Sequence, residues 1–142
     1  RGKLEIGKGK EVLALIKGTF DQHLSYAYED VCREHCFELM REEKMRFTSI
    51  GRWWHKNEEI DIVALDEENK EIYFGEVKWS KKYIGVDILD ELKRKAALVE
   101  WNRGKRKEHF MLFSKIGFTD AVLKKARSEG IELISSEALY NS

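Results

Sequence analysis

Three residues in two neighbouring segments have the chemistry needed for metal-assisted hydrolysis. Asp61 lies among β-branched residues in the segment EIDIVA, and Glu76 and Lys78 lie two residues apart in GEVK. Because side chains alternate between the two faces of a strand, Glu76 and Lys78 are expected on the same face. A turn at DEEN makes the two segments a hairpin and predicts that Asp61 lies roughly opposite Glu76. A carboxylate in so apolar a strand is costly unless it is paired or binds a metal ion.

Two carboxylates and a lysine in one patch predict hydrolysis of a phosphodiester bond. Carboxylate oxygens suit Mg²⁺ or Mn²⁺, which keep bound waters and can also hold a phosphate oxygen. Asp61 and Glu76 would hold the ion, with the backbone carbonyl of Val77 as a further ligand. Lys78 would orient the nucleophile or stabilise the transition state. Glu29, on the preceding predicted helix, is a candidate for a water-mediated ligand.

A simpler interpretation of Glu76 and Lys78 is a surface ion pair. An acid and a lysine two apart on a strand most often form a salt bridge that contributes little to stability. The position of Asp61 in an apolar strand, together with the order of the surrounding elements, favours the metal site over this alternative.

The hydrophobic pattern predicts the elements that position these residues. Apolar residues recur at helical spacing over residues 21–42, where Asp21 is a candidate N-cap. β-rich segments follow, the first of them interrupted by Gly51 as a bulge or bend. The predicted strands are 46–54, 59–65, 71–79, 109–114 and 131–134, and the predicted later helices are 86–101 and a segment from Thr119 or Asp120 to Gly130. This order predicts an α/β fold with a mixed central sheet flanked by helices.

Length and composition indicate one domain preceded by a short arm. The chain has 142 residues, which is enough for one compact core. Residues 1–20 are rich in Gly and Lys and poorly periodic, which predicts a linker or arm before a domain at 21–142. Because the chain begins at Arg1 rather than Met, we expect a fragment of a longer protein.

Net charge and cysteine usage narrow the class of protein. The 26 basic and 26 acidic residues give a net charge of zero, so only the local distribution of charge can indicate a nucleic-acid partner. Cys32 and Cys36 lie four apart in a helical pattern, which predicts buried, reduced thiols and a cytoplasmic location. No apolar run in the sequence is long enough to span a membrane.

Basic and aromatic residues near the motif segments are candidates for contact with DNA. Lys81, Lys82 and Lys95 are candidate phosphate contacts, although a solvated helix face balanced by nearby acids explains such lysines equally well. Tryptophans flank the motif strands and could stack on bases, whereas packing in the core is the more usual role. These tryptophans are Trp53, Trp54 and Trp79.

In its element order and motif residues, the chain resembles the PD-(D/E)XK nuclease superfamily. The acid of the second strand, the Glu-x-Lys of the third and the glutamate on the preceding helix match that motif, and the core order αβββαβ is matched over about residues 21–115. No proline precedes Asp61, which departs from the full motif. The segments YEDVC, WW, EIDIVA and GEVKW are also similar to the uncharacterised C-terminal domain of archaeal P-loop ATPases, over most of the chain.

The resemblance implies a restriction-endonuclease-like fold with Asp61, Glu76 and Lys78 as the catalytic set and Glu29 as the helix acid. It further implies Mg²⁺ or Mn²⁺ as the cofactor, DNA as the substrate, and an N-terminal ATPase domain of the same protein as a partner. A homodimer would suit an enzyme that cuts both strands of a duplex.

Two functions stay open from the sequence. One is a metal-dependent DNA endonuclease domain, which the intact acid–acid–lysine set favours. The other is a nuclease-fold module without activity that binds DNA or a protein as the output or regulatory domain of an ATPase, which the zero net charge favours. Substitution of Asp61 or Lys78 separates the two, because only an enzyme would lose cleavage while it keeps binding.

Overall fold

Helices and strands alternate along the chain in the predicted order. The computed structural model of the protein describes residues 10–136 and residue 139, with side chains described from residue 23 onward. The elements within these residues are α1 (Lys10–Arg41), β1 (Ser49–His55), β2 (Glu58–Asp66), β3 (Glu71–Lys78), α2 (Val86–Ala96), β4 (Lys107–Ser114), α3 (Asp120–Glu129) and β5 (Glu132–Ser135). The predicted order of one helix, three strands, helix, strand, helix, strand is confirmed.

The strands form one mixed sheet in the order β1-β2-β3-β4-β5. β1 with β2 and β2 with β3 are antiparallel hairpins. β3 with β4 and β4 with β5 are parallel, and α2 and α3 are the crossover helices that parallel pairing requires. The predicted α/β class with a mixed central sheet is therefore confirmed.

Helices cover both faces of the sheet. α1 packs on one face through Tyr28, Cys32 and Cys36, all at most 1% exposed. α2 and α3 pack on the other face through residues such as Leu89 and Val122. The two buried layers account for the continuous apolar character of β2 and β3, since strands covered on both faces lose the alternation of apolar and polar residues.

Two helix boundaries predicted from the hydrophobic pattern are wrong, the start of α1 and the end of α2. α1 begins at Lys10 rather than near residue 21, so Asp21 lies inside the helix and is not its N-cap. The segment EVLALIK consists of residues that a helix accepts, and the single glycine after it costs only about 1 kcal/mol. Residues 10–20 of the predicted arm are therefore helical, and residues 1–9 lie outside the described part of the chain.

α2 ends at Ala96 rather than at residue 101. The helix is followed by tighter turns, in which the amides of Leu98 and Val99 donate to carbonyls three residues back. The guanidinium of Arg106 donates to the carbonyls of Ala96, Val99 and Trp101 and so satisfies the end of this helix. This long-range cap is invisible to a search for local helix-stop residues.

α3 begins and ends as its sequence predicts. The Thr119 hydroxyl accepts from the amide of Val122, which makes Thr119 the N-cap. Gly130 follows the helix with φ of 72°, the left-handed conformation that glycine adopts without strain. The described helices include none that is both long and apolar enough to cross a membrane.

A β-bulge interrupts the pairing of β1 with β2. Gly51 pairs with Val63 and Trp53 pairs with Ile60, so Arg52 alone faces two residues of β2, Asp61 and Ile62. The predicted irregularity near Gly51 is thereby confirmed. The extra residue reverses the side-chain alternation of β2, since Ile60 packs on the α2 side of the sheet and Ile62 on the α1 side.

Candidate active site

Asp61 lies where the central hairpin stops pairing through its backbone. The paired residues of β2 and β3 run from Asp66 with Glu71 to Ile62 with Gly75. One step further the same register would place Asp61 opposite Glu76. There the backbone pairing gives way to a side-chain contact, because Asp61 Oδ2 accepts a hydrogen bond from the amide of Val77 at 2.9 Å. The bulge and the end of the ladder together orient the Asp61 carboxylate toward β3.

Glu76 is a buried carboxylate held by two lysines. Glu76 as a whole residue is 7% exposed. Lys78 Nζ lies 3.4 Å from Oε2, and Lys95 Nζ lies 3.2 Å from Oε1. Burial raises the pKa of Glu76, the charge of Asp61 raises it further, and the two ammonium groups oppose both effects. The carboxylates of Asp61 and Glu76 therefore interact as like charges.

The two lysines differ in their exposure. The Lys78 side chain is 41% exposed, whereas that of Lys95 is 13% exposed. Lys78 follows Glu76 on the same face of β3, and Lys95 reaches the same carboxylate from α2. Lys78 can therefore serve both Glu76 and a bound ligand, while Lys95 is turned into the protein toward Glu76.

Glu29 reaches the site from α1, on the other face of the sheet. Its carboxylate accepts from the guanidinium of Arg52 and lies 3.9 Å from Nη1 of Arg33. Burial is the largest cause of the raised pKa of Glu29, and the charge of Asp61 adds to it. Asp61 thus interacts electrostatically with both other carboxylates, Glu76 and Glu29.

Arg52 is a site residue that the sequence analysis missed. Its guanidinium contacts Glu29 and lies 3.6 Å from Glu59 Oε1. It sits on β1 at the bulge, across from Asp61. The sequence did contain a signal for it, because Arg52 is a basic residue next to the predicted bulge at Gly51 and lies on the strand beside the one that carries Asp61.

The donor set suits Mg²⁺ or Mn²⁺ better than zinc. Among the residues described, no group of three or more His, Cys, Asp or Glu side chains is arranged to hold a metal ion. Mg²⁺ in proteins commonly takes one or two carboxylates and keeps several waters, whereas structural zinc needs four protein ligands. Asp61 and Glu76 supply two carboxylates, which is the number that such an ion commonly takes.

A cleft of about 540 Å³ opens beside these residues. Its floor and walls combine aromatic, basic and acidic groups from α1, β1, β2 and the segments after β3 and β4. The residues that line it are Ser25, Tyr26, Glu29, Arg52, Glu59, Trp79, Ser80, Lys81 and Lys115. Trp79 to Lys81 directly follow Lys78, and the amide of Lys115 donates to the carbonyl of Lys78 at 3.0 Å. The cleft thus adjoins the end of the strand that carries Glu76 and Lys78.

The basic residues named from the sequence occupy different environments. Lys81 lines the cleft, and Lys82 is exposed, with its amide bonded to Ser80 Oγ at 3.2 Å. Lys95 contacts Glu76 inside the protein. Its neighbours on α2 are also paired, because Lys93 contacts Glu129 and Arg94 contacts Glu58 through both terminal nitrogens. Of this group, Lys81 and Lys82 are the lysines turned toward solvent.

The tryptophans and cysteines divide between core and surface. Trp79 packs on Tyr28 with ring centroids 4.9 Å apart, and Trp53 packs against the α2 layer. Trp54 is 68% exposed. Cys32 and Cys36 are free and buried, which confirms the prediction of reduced thiols on the apolar face of the first helix.

Fold and site together define a three-layer mixed α/β domain with two carboxylates and two lysines at the end of its central hairpin. Residues 1–102 match the family DUF234, described as archaea bacterial proteins of unknown function, and the chain belongs to this family.

Two further similarities concern single proteins. The chain is 41% identical over 88 residues to the uncharacterized protein MJECL04 of Methanocaldococcus jannaschii. The match covers 59% of this chain and 20% of that protein, so the chain spans about a fifth of its relative's length. Among solved structures, a repair endonuclease from Pyrococcus abyssi is similar with a TM-score of 0.48 and 15% identity, over 75% of this chain and 46% of the other.

Proposed function

We propose that this chain is a metal-dependent nuclease domain that hydrolyses phosphodiester bonds in DNA. One observation carries the proposal: the Asp61 carboxylate is held on the Val77 amide beside the buried Glu76, which Lys78 contacts. A fold gains little stability from two like charges brought together under partial burial. Such an arrangement is typical of a site that uses the charges.

Each residue has a chemical role in this proposal. Asp61 and Glu76 would hold Mg²⁺ or Mn²⁺ with the carbonyl of Val77, and the ion would supply Lewis acidity and a water of lowered pKa. The ammonium of Lys78, half exposed beside Glu76, stabilises negative charge that develops on the phosphate. Glu29 and Arg52 fix the α1 side of the site through their ion pair.

Lys95 is a positioning residue in this scheme. Its ammonium is buried against Glu76 Oε1 and so holds that side chain in one orientation. A buried carboxylate without a partner would instead take up a proton or turn toward water. Lys95 therefore opposes the effect of burial on the pKa of Glu76 and holds its carboxylate in one orientation, and Lys78 stays available for the ligand.

An N-terminal ATPase domain of the same protein is the proposed partner. The similarity of the motif segments to the C-terminal domain of archaeal P-loop ATPases supports this assignment. In such a protein the nuclease domain would act on DNA that the ATPase domain engages or moves.

A second candidate function is a nuclease-fold module without activity. The specific observation in its favour is that both oxygens of Glu76 contact a lysine, at 3.4 Å and 3.2 Å. An acid neutralised on both sides can persist as a structural ion-pair network. The two candidates differ in whether a divalent cation binds.

Manganese binding tests the proposal directly. We would titrate Mn²⁺ into the folded wild-type chain and into Asp61→Asn and Glu76→Gln, with Glu67→Gln in the exposed turn as the matched control. The proposal expects one Mn²⁺ site in the wild type and the control, and its loss in both site variants. Lys78→Met should keep Mn²⁺ but lose cleavage of DNA. A folded wild-type chain that binds no Mn²⁺ at millimolar concentration would favour the module without activity.

A further inference from the structure

We propose that the cleft lined by Trp79, Lys81 and Lys115 binds an unpaired DNA strand, so that single-stranded DNA or the unpaired part of a branched DNA is the substrate. The proposal deepens the nuclease function above and rests on it for the cleavage step. The binding step depends only on the cleft itself, which can be tested without metal.

The position of the cleft in the fold is that of a ligand site. β3 and β4 are parallel, so their carboxyl ends meet at the same edge of the sheet. Crevices outside the carboxyl ends of parallel strands are the usual place for ligands in such sheets. Ser80 and Lys81 follow β3, and Lys115 follows β4, where its amide is bonded to the carbonyl of Lys78. The cleft therefore lies at the edge of the sheet where β3 ends with Lys78.

Aromatic side chains give the cleft faces on which bases can stack. Tyr26, which is 48% exposed, lines it, and so does Trp79, whose ring contacts Tyr28 and the Lys115 ammonium. Trp54 lies on the same face of β1 as Arg52 and pairs with Glu59, two residues that also line the cleft. Trp54 is 68% exposed and does not itself line the cleft, but its position two residues from Arg52 places an open indole next to these lining residues. Stacking of unpaired bases on such side chains is independent of sequence, because every base has a π-face.

Two lysines in the cleft are available for phosphate. Among the described residues, neither Lys81 nor Lys115 has a carboxylate within ion-pair distance. The ammonium of Lys115 lies over the Trp79 ring, 4.3 Å from its centroid, in a cation–π contact. A cation next to an aromatic surface matches the alternation of phosphate and base along a single strand.

Size and charge favour a single strand over a duplex. The volume of about 540 Å³ lies within the range of about 300–1,000 Å³ found for small-molecule sites, which is the scale of a nucleotide rather than of a helix. In a duplex the base faces are covered by their neighbours and cannot stack on protein. Glu29 and Glu59 also line the cleft and would repel a second phosphate backbone.

Fluorescence anisotropy tests the inference with no divalent metal present. We would titrate the chain into labelled oligothymidylate and into a hairpin duplex of the same length, in EDTA and at two salt concentrations. The single strand should bind more tightly than the duplex, with an affinity that falls as salt rises. Trp54→Ala, Lys81→Ala and Lys115→Ala should each weaken binding, Trp54→Ala by about fivefold to 150-fold, which corresponds to about 1–3 kcal/mol for a stacked base.

The matched control is Lys124→Ala, an exposed lysine of α3 on the opposite face of the sheet. It should leave binding unchanged. A thermal melt of each variant confirms that it is folded, and the exposed Trp54 and Lys81 can be replaced without disturbing the core. Equal binding of single strand and duplex, tighter binding of oligouridylate than of oligothymidylate, or full affinity in the three cleft variants would each overturn the inference.

The experiment separates this inference from the proposed nuclease function. If the chain cleaves DNA but binds single strands no more tightly than duplexes, the nuclease function stands and the inference fails. Tight, cleft-dependent binding of oligothymidylate by a chain that binds no Mn²⁺ and cleaves nothing would do the reverse.

Discussion

The amide of Val77 donates to the carboxylate of Asp61 at 2.9 Å, at the position where β2 and β3 stop pairing through their backbones. The same carboxylate lies close enough to Glu76 to raise its pKa. Asp61 therefore has two separable properties, an oxygen that closes the hairpin and a negative charge beside Glu76. Substitutions that remove one without the other distinguish a structural acid from a metal ligand.

Asp61→Asn and Asp61→Ala should differ in stability but not in metal binding. Asparagine keeps an oxygen acceptor for the Val77 amide, whereas alanine leaves that part-buried amide without a partner, at a cost of about 1–3 kcal/mol. Both variants lose the charge, so both should lose Mn²⁺ binding. Urea denaturation and Mn²⁺ titration measure the two effects. Equal destabilisation by both variants would contradict the structural role given to the hydrogen bond.

Gly75→Ala should destabilise the protein through the contact between β3 and β2. A Cβ at Gly75 would lie 3.1 Å from Ile62 Cβ, in a buried layer with little room to move. Overpacking of this kind costs about 1–3 kcal/mol. Gly51→Ala is the matched control, since a Cβ there meets nothing within 4 Å. Chemical denaturation should show a loss for Gly75→Ala and at most a small change for Gly51→Ala.

Much of the fold follows from local sequence pattern. The strands around Asp61 and Glu76, the hairpin turn between them and the caps of α3 depend on residues close together in the chain, which is why periodicity and turn chemistry predict them. The start of α1 escaped prediction because Asp21, a good N-cap residue, suggested a boundary inside a segment that continues as helix. Nothing local marks the end of α2, because Arg106 caps it from ten residues away.

The site shows the same division between local and long-range causes. Asp61, Glu76 and Lys78 stand out because charges interrupt apolar strands. Arg52 and Lys115 do not stand out, since Arg52 acquires its role from a bulge and from Glu29 on α1, and Lys115 from a parallel neighbour. The sharing of Glu76 between Lys78 and Lys95 also depends on how α2 docks on the sheet. Tertiary packing fixes all three features.

Arg106→Ala should be among the more destabilising substitutions in the chain. The Arg106 side chain is 2% exposed, and its terminal nitrogens donate to three carbonyls, at the last residue of α2 and in the segment after it, at 2.6 to 2.9 Å. Without the guanidinium these buried carbonyls have no donor, which should lower the free energy of unfolding by about 2–4 kcal/mol. Arg106→Lys should recover only part of this, because a single ammonium cannot reproduce the planar fork.

Arg103→Ala, an exposed arginine three residues earlier, is the control and should change stability by no more than about 0.5 kcal/mol. Thermal and urea denaturation of the three variants provide the comparison. If Arg106→Ala were as stable as Arg103→Ala, the guanidinium would not be what ends α2.

The two buried cysteines should make stability fall at alkaline pH. Burial raises the pKa of Cys36 to about 12 and also raises that of Cys32. In the unfolded chain both thiols ionise above about pH 8.5. Between that value and the native pKa the folded state therefore holds more protons than the unfolded state, so the stabilisation present below pH 8.5 is lost as the pH rises. The expected slope is about 1.4 kcal/mol per pH unit for each thiol.

Urea denaturation between pH 8 and pH 10.5 measures this slope when the wild type is compared with the double variant Cys32→Ala and Cys36→Ala. The alanines open small cavities, which lower stability by an amount that does not depend on pH. The free energy of unfolding of the wild type, relative to that of the double variant, should therefore fall by about 2.7 kcal/mol per pH unit above pH 9, since two thiols contribute. The raised pKa of Tyr73 affects both proteins and cancels in the difference. Parallel stability curves would mean that the thiols ionise in the folded protein and that the α1 layer is open to solvent.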